Sequence, residues 1–173
     1  METIRYPRDM EASNVRGSVE SVRLSTSDAG EVLTLQRAPY VTEAQAHQDF
    51  ALPPLVQSLD ELAAELTNPH VLALGLREGA RLVAAVRIRI EDGVAELRRL
   101  VVAPDRQGQG LGSRLLRHAE EVAERVQLLR LFTGEHSLAN QCLYKRHGYL
   151  DDHRTFIGDY QLVYMTKVLH QRS

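Results

Sequence analysis

Val101-Val102-Ala103-Pro104-Asp105-Arg106-Gln107-Gly108-Gln109-Gly110-Leu111-Gly112-Ser113-Arg114 joins a β-prone run directly to the most regular amphipathic stretch of the chain. Glycines at 108, 110 and 112 remove Cβ atoms where backbone N–H groups can converge. A helix starting there turns its free N–H groups and its dipole toward the same point, which makes an anion site. Arg106 and Arg114 can add charge-assisted bonds to phosphate oxygens. Spacing then selects among phosphate binders. A Walker loop needs a lysine, which this segment lacks, and a Rossmann turn needs glycine where Ser113 stands. The pattern that fits is Q-x-x-G-x-G, carried by Gln107, Gly110 and Gly112. A plain tight strand-to-helix turn is the competing reading of the glycines.

Working outward, Ser113 to Val126 reads as a helix with Leu115, Leu116, Ala119, Val122, Ala123 and Val126 on its apolar side. On the other flank, Val94–Val102 is a strand whose apolar rhythm slips by one residue at Arg98–Arg99. A β-bulge explains the slip, and so does a strand buried on both faces. Upstream, Val71–Leu76 and Leu82–Ile90 are strands, with Arg87 and Arg89 alternating as in a half-exposed strand; Asp92-Gly93 is a hairpin turn. Val19–Leu24 is β-prone, and Ser25 with Asp28 and Ser58 with Glu61 open helices. Pro39 and Pro53-Pro54 make Ala38 to Gln57 loop-like or briefly helical. Downstream come a strand at Leu128–Phe132, a helix over Leu138–His147 stopped by Gly148, a hairpin near Gly158-Asp159 and a last strand at Tyr160–Val168. Residues 1–18 read as a flexible arm and 19–173 as one α/β domain, a mixed sheet flanked by helices.

Composition sets the outer limits. The 173 residues suit one domain, and a net charge of −2 gives no basic field for a nucleic-acid partner. A single cysteine, Cys142, excludes an intrachain disulfide and suits a reducing, cytoplasmic setting. No apolar run reaches the ~18–20 residues of a membrane span, and the histidines lack metal-ligand spacing, so no metal site is expected.

With Ala95-Glu96-Leu97, Leu100 to Pro104, Arg106 to Gly112 and Leu143-Tyr144-Lys145-Arg146-His147-Gly148-Tyr149 in place, the chain resembles the GCN5-related N-acetyltransferase family, known as GNAT. The likeness in element order runs from Val19 to Val168. It implies a mostly antiparallel V-shaped sheet, the acyl-CoA N-acyltransferase fold, split between its fourth and fifth strands, with acetyl-CoA as co-substrate in the split. It further implies that Leu100, Val101 and Val102 offer backbone bonds to the pantetheine arm. The pyrophosphate would then be cradled by Gln107, Gly108, Gln109, Gly110, Leu111, Gly112, Ser113 and Arg114. Several family members carry an asparagine seven residues before the tyrosine. Here that place holds Ser137, with Asn140 one turn closer, and either can contact the arm.

Acetyl transfer from a thioester to an amine requires a deprotonated amine, a stabilised oxyanion and a protonated leaving thiolate. Tyr144 is the expected acid, on a stripe with Ser137, Asn140 and His147, while Ala139, Cys142 and Leu143 point toward the core; packing under the cofactor is its alternative role. Glu96 is the expected general base, its pKa raised by burial, unless it is paired with Arg98 or Arg87; Glu135, His136, Glu43 and His47 are alternatives. A backbone N–H near Leu100–Val102 would hold the oxyanion. Cys142 is read as a buried structural cysteine rather than an acylated nucleophile.

Tyr40, Glu43, His47, Asp49 and Phe50 suit a cationic small-molecule amine as acceptor, although a solvated loop would have the same composition. The function expected is N-acetylation of a primary amine by direct attack in a ternary complex, with a homodimer compatible. The alternatives are a non-catalytic acyl-CoA sensor, a protein or peptide N-acetyltransferase, and a nucleotide-binding module.

Overall fold

The structure is a computed structural model that describes residues 18–169; the expected arm, up to residue 17, lies outside them. Seven strands and five helices follow in the order β1 (Val19–Leu24), α1 (Ala29–His47), α2 (Pro53–Val56), α3 (Leu59–Thr67), β2 (Val71–Glu78), β3 (Arg81–Glu91), β4 (Val94–Val102), α4 (Leu111–Val122), β5 (Leu128–Gly134), α5 (Leu138–Arg146), β6 (Leu150–Ile157) and β7 (Tyr160–Val168). The strands form one sheet in the order β1-β2-β3-β4-β5-β7-β6. Every neighbouring pair is antiparallel except β4 with β5.

That parallel pair is short. Val94, Ala95 and Glu96 face Leu128, Leu129 and Arg130, and there the pairing ends. Beyond it β5 pairs only with β7 and β4 only with β3, so the sheet opens between two wings. Each wing is closed by local chemistry. Asp92 and Gly93 both take positive φ, as the two central residues of a tight β3–β4 hairpin must. Gly158, also at positive φ, turns β6 into β7.

The helices cover both faces. Leu111, Leu115, Leu116 and Ala119 of α4 pack on Leu76, Val86, Ile88, Ala95, Leu97, Leu129 and Leu131. Leu115 and Leu116 are wholly buried, worth roughly 1.5–3 kcal/mol each by transfer. On the opposite face Val32, Leu33 and Leu35 of α1 and Leu62 of α3 pack on Leu24, Ala73, Leu82, Ala85 and Val101.

Several expectations need correction. α1 continues through Pro39 to His47 instead of breaking. Proline forfeits one helical hydrogen bond, but a buried network anchors the helix just before it. Gln36 donates to Pro54 O at 2.7 Å and accepts from Arg87 Nη2 at 2.8 Å, while Arg87 Nε reaches Glu65 at 3.0 Å. The same network explains why β3 is not half-exposed: Arg87 is buried, at 3% exposure, because Gln36 and Glu65 satisfy it. α4 starts at Leu111 rather than Ser113 and ends at Val122, which is exposed; Ala123 and Val126 follow the helix yet remain buried. Both expected helix starts are true capping boxes, Ser58 accepting from Glu61 N at 3.2 Å and Glu61 returning to Ser58 N at 2.7 Å.

Candidate active site

The turn from β4 to α4 is built to present amides. Ala103 N bonds to Val83 O at 2.9 Å, holding the last β4 residues to β3, and residues Pro104–Arg106 form a single 3-10 turn. Gly108 and Gly110 then take φ of 73° and 80°, a region an L side chain enters only at a cost. Gly110 caps α4 and has no side chain with which to bond the first turn. The first helical bond is Arg114 N to Gly110 O at 3.0 Å, so the N–H groups of Leu111, Gly112 and Ser113 have no partner within the helix. At Gly112 an added Cβ would make ordinary contacts, 3.5 Å from Leu143 Cδ2 and 3.7 Å from Val102 Cγ2. The first turn of α4, the end of β4 and α5 therefore meet at one place.

Side chains of the turn mostly brace it. Gln107 Nε2 donates to Val102 O at 3.3 Å and Gln109 Nε2 to Asp105 O at 3.4 Å. Arg106 is neutralised by Glu78, and Arg81 grips Asp105 through two bonds of 2.6 and 2.8 Å. Arg114 bonds instead to the carbonyl of Val19 at 2.6 Å and pairs with no carboxylate among the described residues. Of the two expected cations, Arg106 is paired and Arg114 is not paired to a carboxylate among the described residues.

The phase slip in β4 is a bulge. Ala85 pairs with Val101 and Arg87 with Arg98, so Arg99 and Leu100 together face Val86 alone. Arg99 takes φ 57°. After the bulge Val101 enters the second core, while Leu100 and Val102 are half-buried against the first. Leu100, Val101 and Val102 have no β5 partner, which leaves their backbone on that side to the opening.

α5 brings Tyr144 up behind the opening. Gln141 Nε2 donates to the carbonyls of Gly134 and Glu135 at 3.2 and 2.9 Å, fixing the helix to the end of β5. Tyr144 is buried and stands edge-on to Tyr149, ring centroids 6.0 Å apart. Burial pushes its phenol above the ordinary value, and Tyr40 and Glu43 add to the effect. Tyr40 is raised by burial, opposed by Arg99 and reinforced by Glu43. Tyr160, raised by burial, also feels Asp49 and Glu43. Ser137 Oγ donates to Glu43 Oε1 at 3.4 Å. Glu43 thus bonds Ser137, and its charge is felt by Tyr40, Tyr144 and Tyr160.

Other expected residues lie elsewhere or act differently. Glu96 sits on the paired side of the opening, bound by Arg98 on its own strand and by Arg130 across it at 2.7 Å. Burial alone would raise its carboxyl, but those two arginines outweigh burial and hold it below the usual glutamate range. The expected upward shift is reversed. Glu135 Oε1 accepts Gln161 N at 2.8 Å, which ties it to the start of β7. Asn140 is exposed. Ala139 and Cys142 are exposed too, and Gln141 and Tyr144 are the buried residues of α5. Of the three residues expected toward the core, Ala139 and Cys142 face solvent and Leu143 packs half-buried against the first core, so Cys142 is no core residue. Arg99 was not expected at the site; the slip at Arg98–Arg99 marked the bulge without saying where the side chain goes.

A sheet opened at its one parallel pair, with helix amides at one rim, is the acyl-CoA N-acyltransferase architecture. The chain belongs to the acetyltransferase (GNAT) family, whose sequence model matches residues 32–149. It is 55% identical over 42 residues to an amino-acid acetyltransferase of Ralstonia nicotianae, a match spanning 24% of this chain and 9% of that protein. It is 32% identical over 90 residues to an IAA acetyltransferase of Azospirillum brasilense (50% and 59%). It is 33% identical over 106 residues to the aminoalkylphosphonate N-acetyltransferase of Salmonella typhimurium (56% and 68%). The chain thus spans less than two thirds of the first two relatives. Among solved structures, the ribosomal-protein-S18-alanine N-acetyltransferase of Escherichia coli superposes with a TM-score of 0.74 at 22% identity, over 90% of this chain and 97% of that one. The PaiA N-acetyltransferase of Thermoplasma acidophilum, solved with coenzyme A, gives 0.73 at 20%, over 87% and 99%. At these identities the likeness is one of fold. No helix among the described residues is long and apolar enough to cross a membrane.

Proposed function

We propose that the protein moves the acetyl group of acetyl-CoA to the primary amine of a small molecule, by direct attack in a ternary complex. The observation that carries this reading is the meeting of α4, β4 and α5 at Gly112, beside strands that have stopped pairing. In it the amides of Leu111, Gly112 and Ser113, the turn from Gln107 to Gly110 and the charge of Arg114 hold the pyrophosphate. The open backbone of Leu100–Val102 takes the pantetheine arm, with Ser137 and Asn140 at its side. Acetyl-CoA supplies an activated thioester. Relatives named for amino-acid and aminoalkylphosphonate acceptors support a small amine.

The steps balance without an enzyme nucleophile. The amine lone pair attacks the thioester carbonyl; the C–N bond forms and the C–S bond breaks. A backbone N–H at the bulge holds the developing oxyanion, and Tyr144 gives its proton to the departing thiolate. The proton shed by the amine goes to a carboxylate, directly or through water, and solvent restores Tyr144. Glu43 suits that carboxylate role better than Glu96, since Glu96 is held ionised by two arginines while Glu43 lies among Tyr40, Ser137 and Tyr144. A cytoplasmic setting, and a homodimer through the exposed edge strand β6, belong to the same reading.

The test is ligand-dependent melting. Acetyl-CoA at 100 times its Kd should raise Tm by roughly 5–10 °C for a chain of this size. ATP and NAD should leave it unmoved; the reverse pattern contradicts the reading.

A further inference from the structure

Three residues outside glycine take positive φ among the described residues, and two have ordinary reasons: Gln48 ends α1 and Asp92 makes a hairpin turn. The third is Arg99, at the bulge where β4 leaves β5. A bulge of this kind accepts glycine without strain, so an arginine there carries a backbone cost that directs attention to its side chain.

Its surroundings say what for. Its neighbours Arg87 and Arg98 are each ion-paired to a glutamate, Glu65 and Glu96, but no carboxylate of the described residues lies within ion-pair distance of Arg99. The Arg99 guanidinium instead acts on the phenol of Tyr40, which also feels Glu43. Glu43 in turn meets Ser137 and faces Tyr144. Tyr40 therefore feels two opposite charges, the Glu43 carboxylate bonded to Ser137 and the Arg99 guanidinium raised on the bulge.

We infer that the acceptor is a zwitterion, an amine with an acidic oxyanion a few bonds away. Arg99 holds the oxyanion as a forked donor, and Glu43 faces the ammonium. The inference rests on the acetyl-transfer reading above and adds the substrate class and its determinant. A carboxylate and a phosphonate share the chemistry that Arg99 recognises, since both offer paired oxygens to a guanidinium.

The experiment compares α-amino acids and α-aminoalkylphosphonates with chain-matched amines whose tail is a neutral amide, following thiol release from acetyl-CoA. The zwitterions should be preferred by at least about tenfold in kcat/KM, and the ranking of the two acids tells which oxyanion fits. Arg99→Gly should shrink that preference by about tenfold or more, to near parity, with KM for the zwitterion rising more than kcat falls. Glycine takes the positive φ freely, so R99G should still fold and keep its melting shift with acetyl-CoA. Arg99→Lys, which keeps the charge but loses the fork, should fall between. Neutral-tail amines used as well as zwitterions, or a preference surviving in R99G, would overturn the inference. An acetyl-CoA shift without turnover of any zwitterion overturns it too, whereas loss of the shift itself overturns the reading beneath.

Discussion

Ser137 Oγ donates a hydrogen bond of 3.4 Å to Glu43 Oε1, joining the N-cap of α5 to the last turns of α1 across 94 residues of sequence. The bond crosses from one wing of the sheet to the other. It fixes a carboxylate near Tyr144, because α1 packs on β3 and β4 while α5 follows β5.

Glu43→Gln should therefore weaken turnover without unfolding the protein. The amide can still accept from Ser137, but the charge that draws and deprotonates an ammonium is gone. We expect kcat/KM for the amine to fall about 10²-fold or more, with acetyl-CoA binding kept. Glu43 also raises Tyr40 and Tyr160, so its removal should move their alkaline titration to lower pH in an absorbance titration.

Tyr144→Phe removes one hydroxyl from a packed ring and should leave the fold intact. Loss of the proton donor should lower kcat by roughly 10²–10⁴-fold. Because burial raises this phenol, the group stays protonated throughout the working range, and the alkaline limb of the rate profile belongs to another group. A residual Y144F activity should keep the same pH dependence.

Gly110→Ala tests the amide turn. Its φ of 80° costs an alanine about 1–2 kcal/mol, although no atom lies within 4 Å of the added Cβ. The variant should melt a few degrees lower and bind acetyl-CoA more weakly in a calorimetric titration, with the amine KM much less affected.

Glu96→Gln should act on stability before chemistry. The carboxylate is 10% exposed but its arginines are 42% and 44% exposed, so screening limits the loss to about 1–2 kcal/mol. Its carboxyl is depressed in the fold, so the stabilisation is complete above the ordinary value of 4.5 and disappears as pH falls through the folded pKa. Denaturation curves of wild type and E96Q should differ at neutral pH and converge in acid.

The fold was largely readable because local rules and the global pattern agreed. Two capping boxes, the Asp92-Gly93 turn and the glycine-spaced turn into α4 each act within a few residues. The misreadings came where distant contacts decide. Pro39 looked like a breaker, but Gln36 is buried and bonded to Pro54 and Arg87, which holds α1 in place. Glu96 looked like a buried base until β5 supplied Arg130. Arg99 gave only a broken rhythm, since its role depends on Tyr40 and Glu43 arriving from a helix more than fifty residues earlier. On α5, Gln141 is buried because it bonds the carbonyls of Gly134 and Glu135, while Cys142, which pattern alone gave to the core, is exposed.

The most direct test follows free thiol and acetylated amine together, by absorbance and mass spectrometry, with acetyl-CoA and a panel of small amines. Thiol release that depends on the amine, matched by an equal amount of N-acetyl product and with no acetyl group left on the exposed Cys142, is the result predicted. Thiol release at the same rate with and without every amine, or acetyl found on the protein instead of the amine, would contradict it.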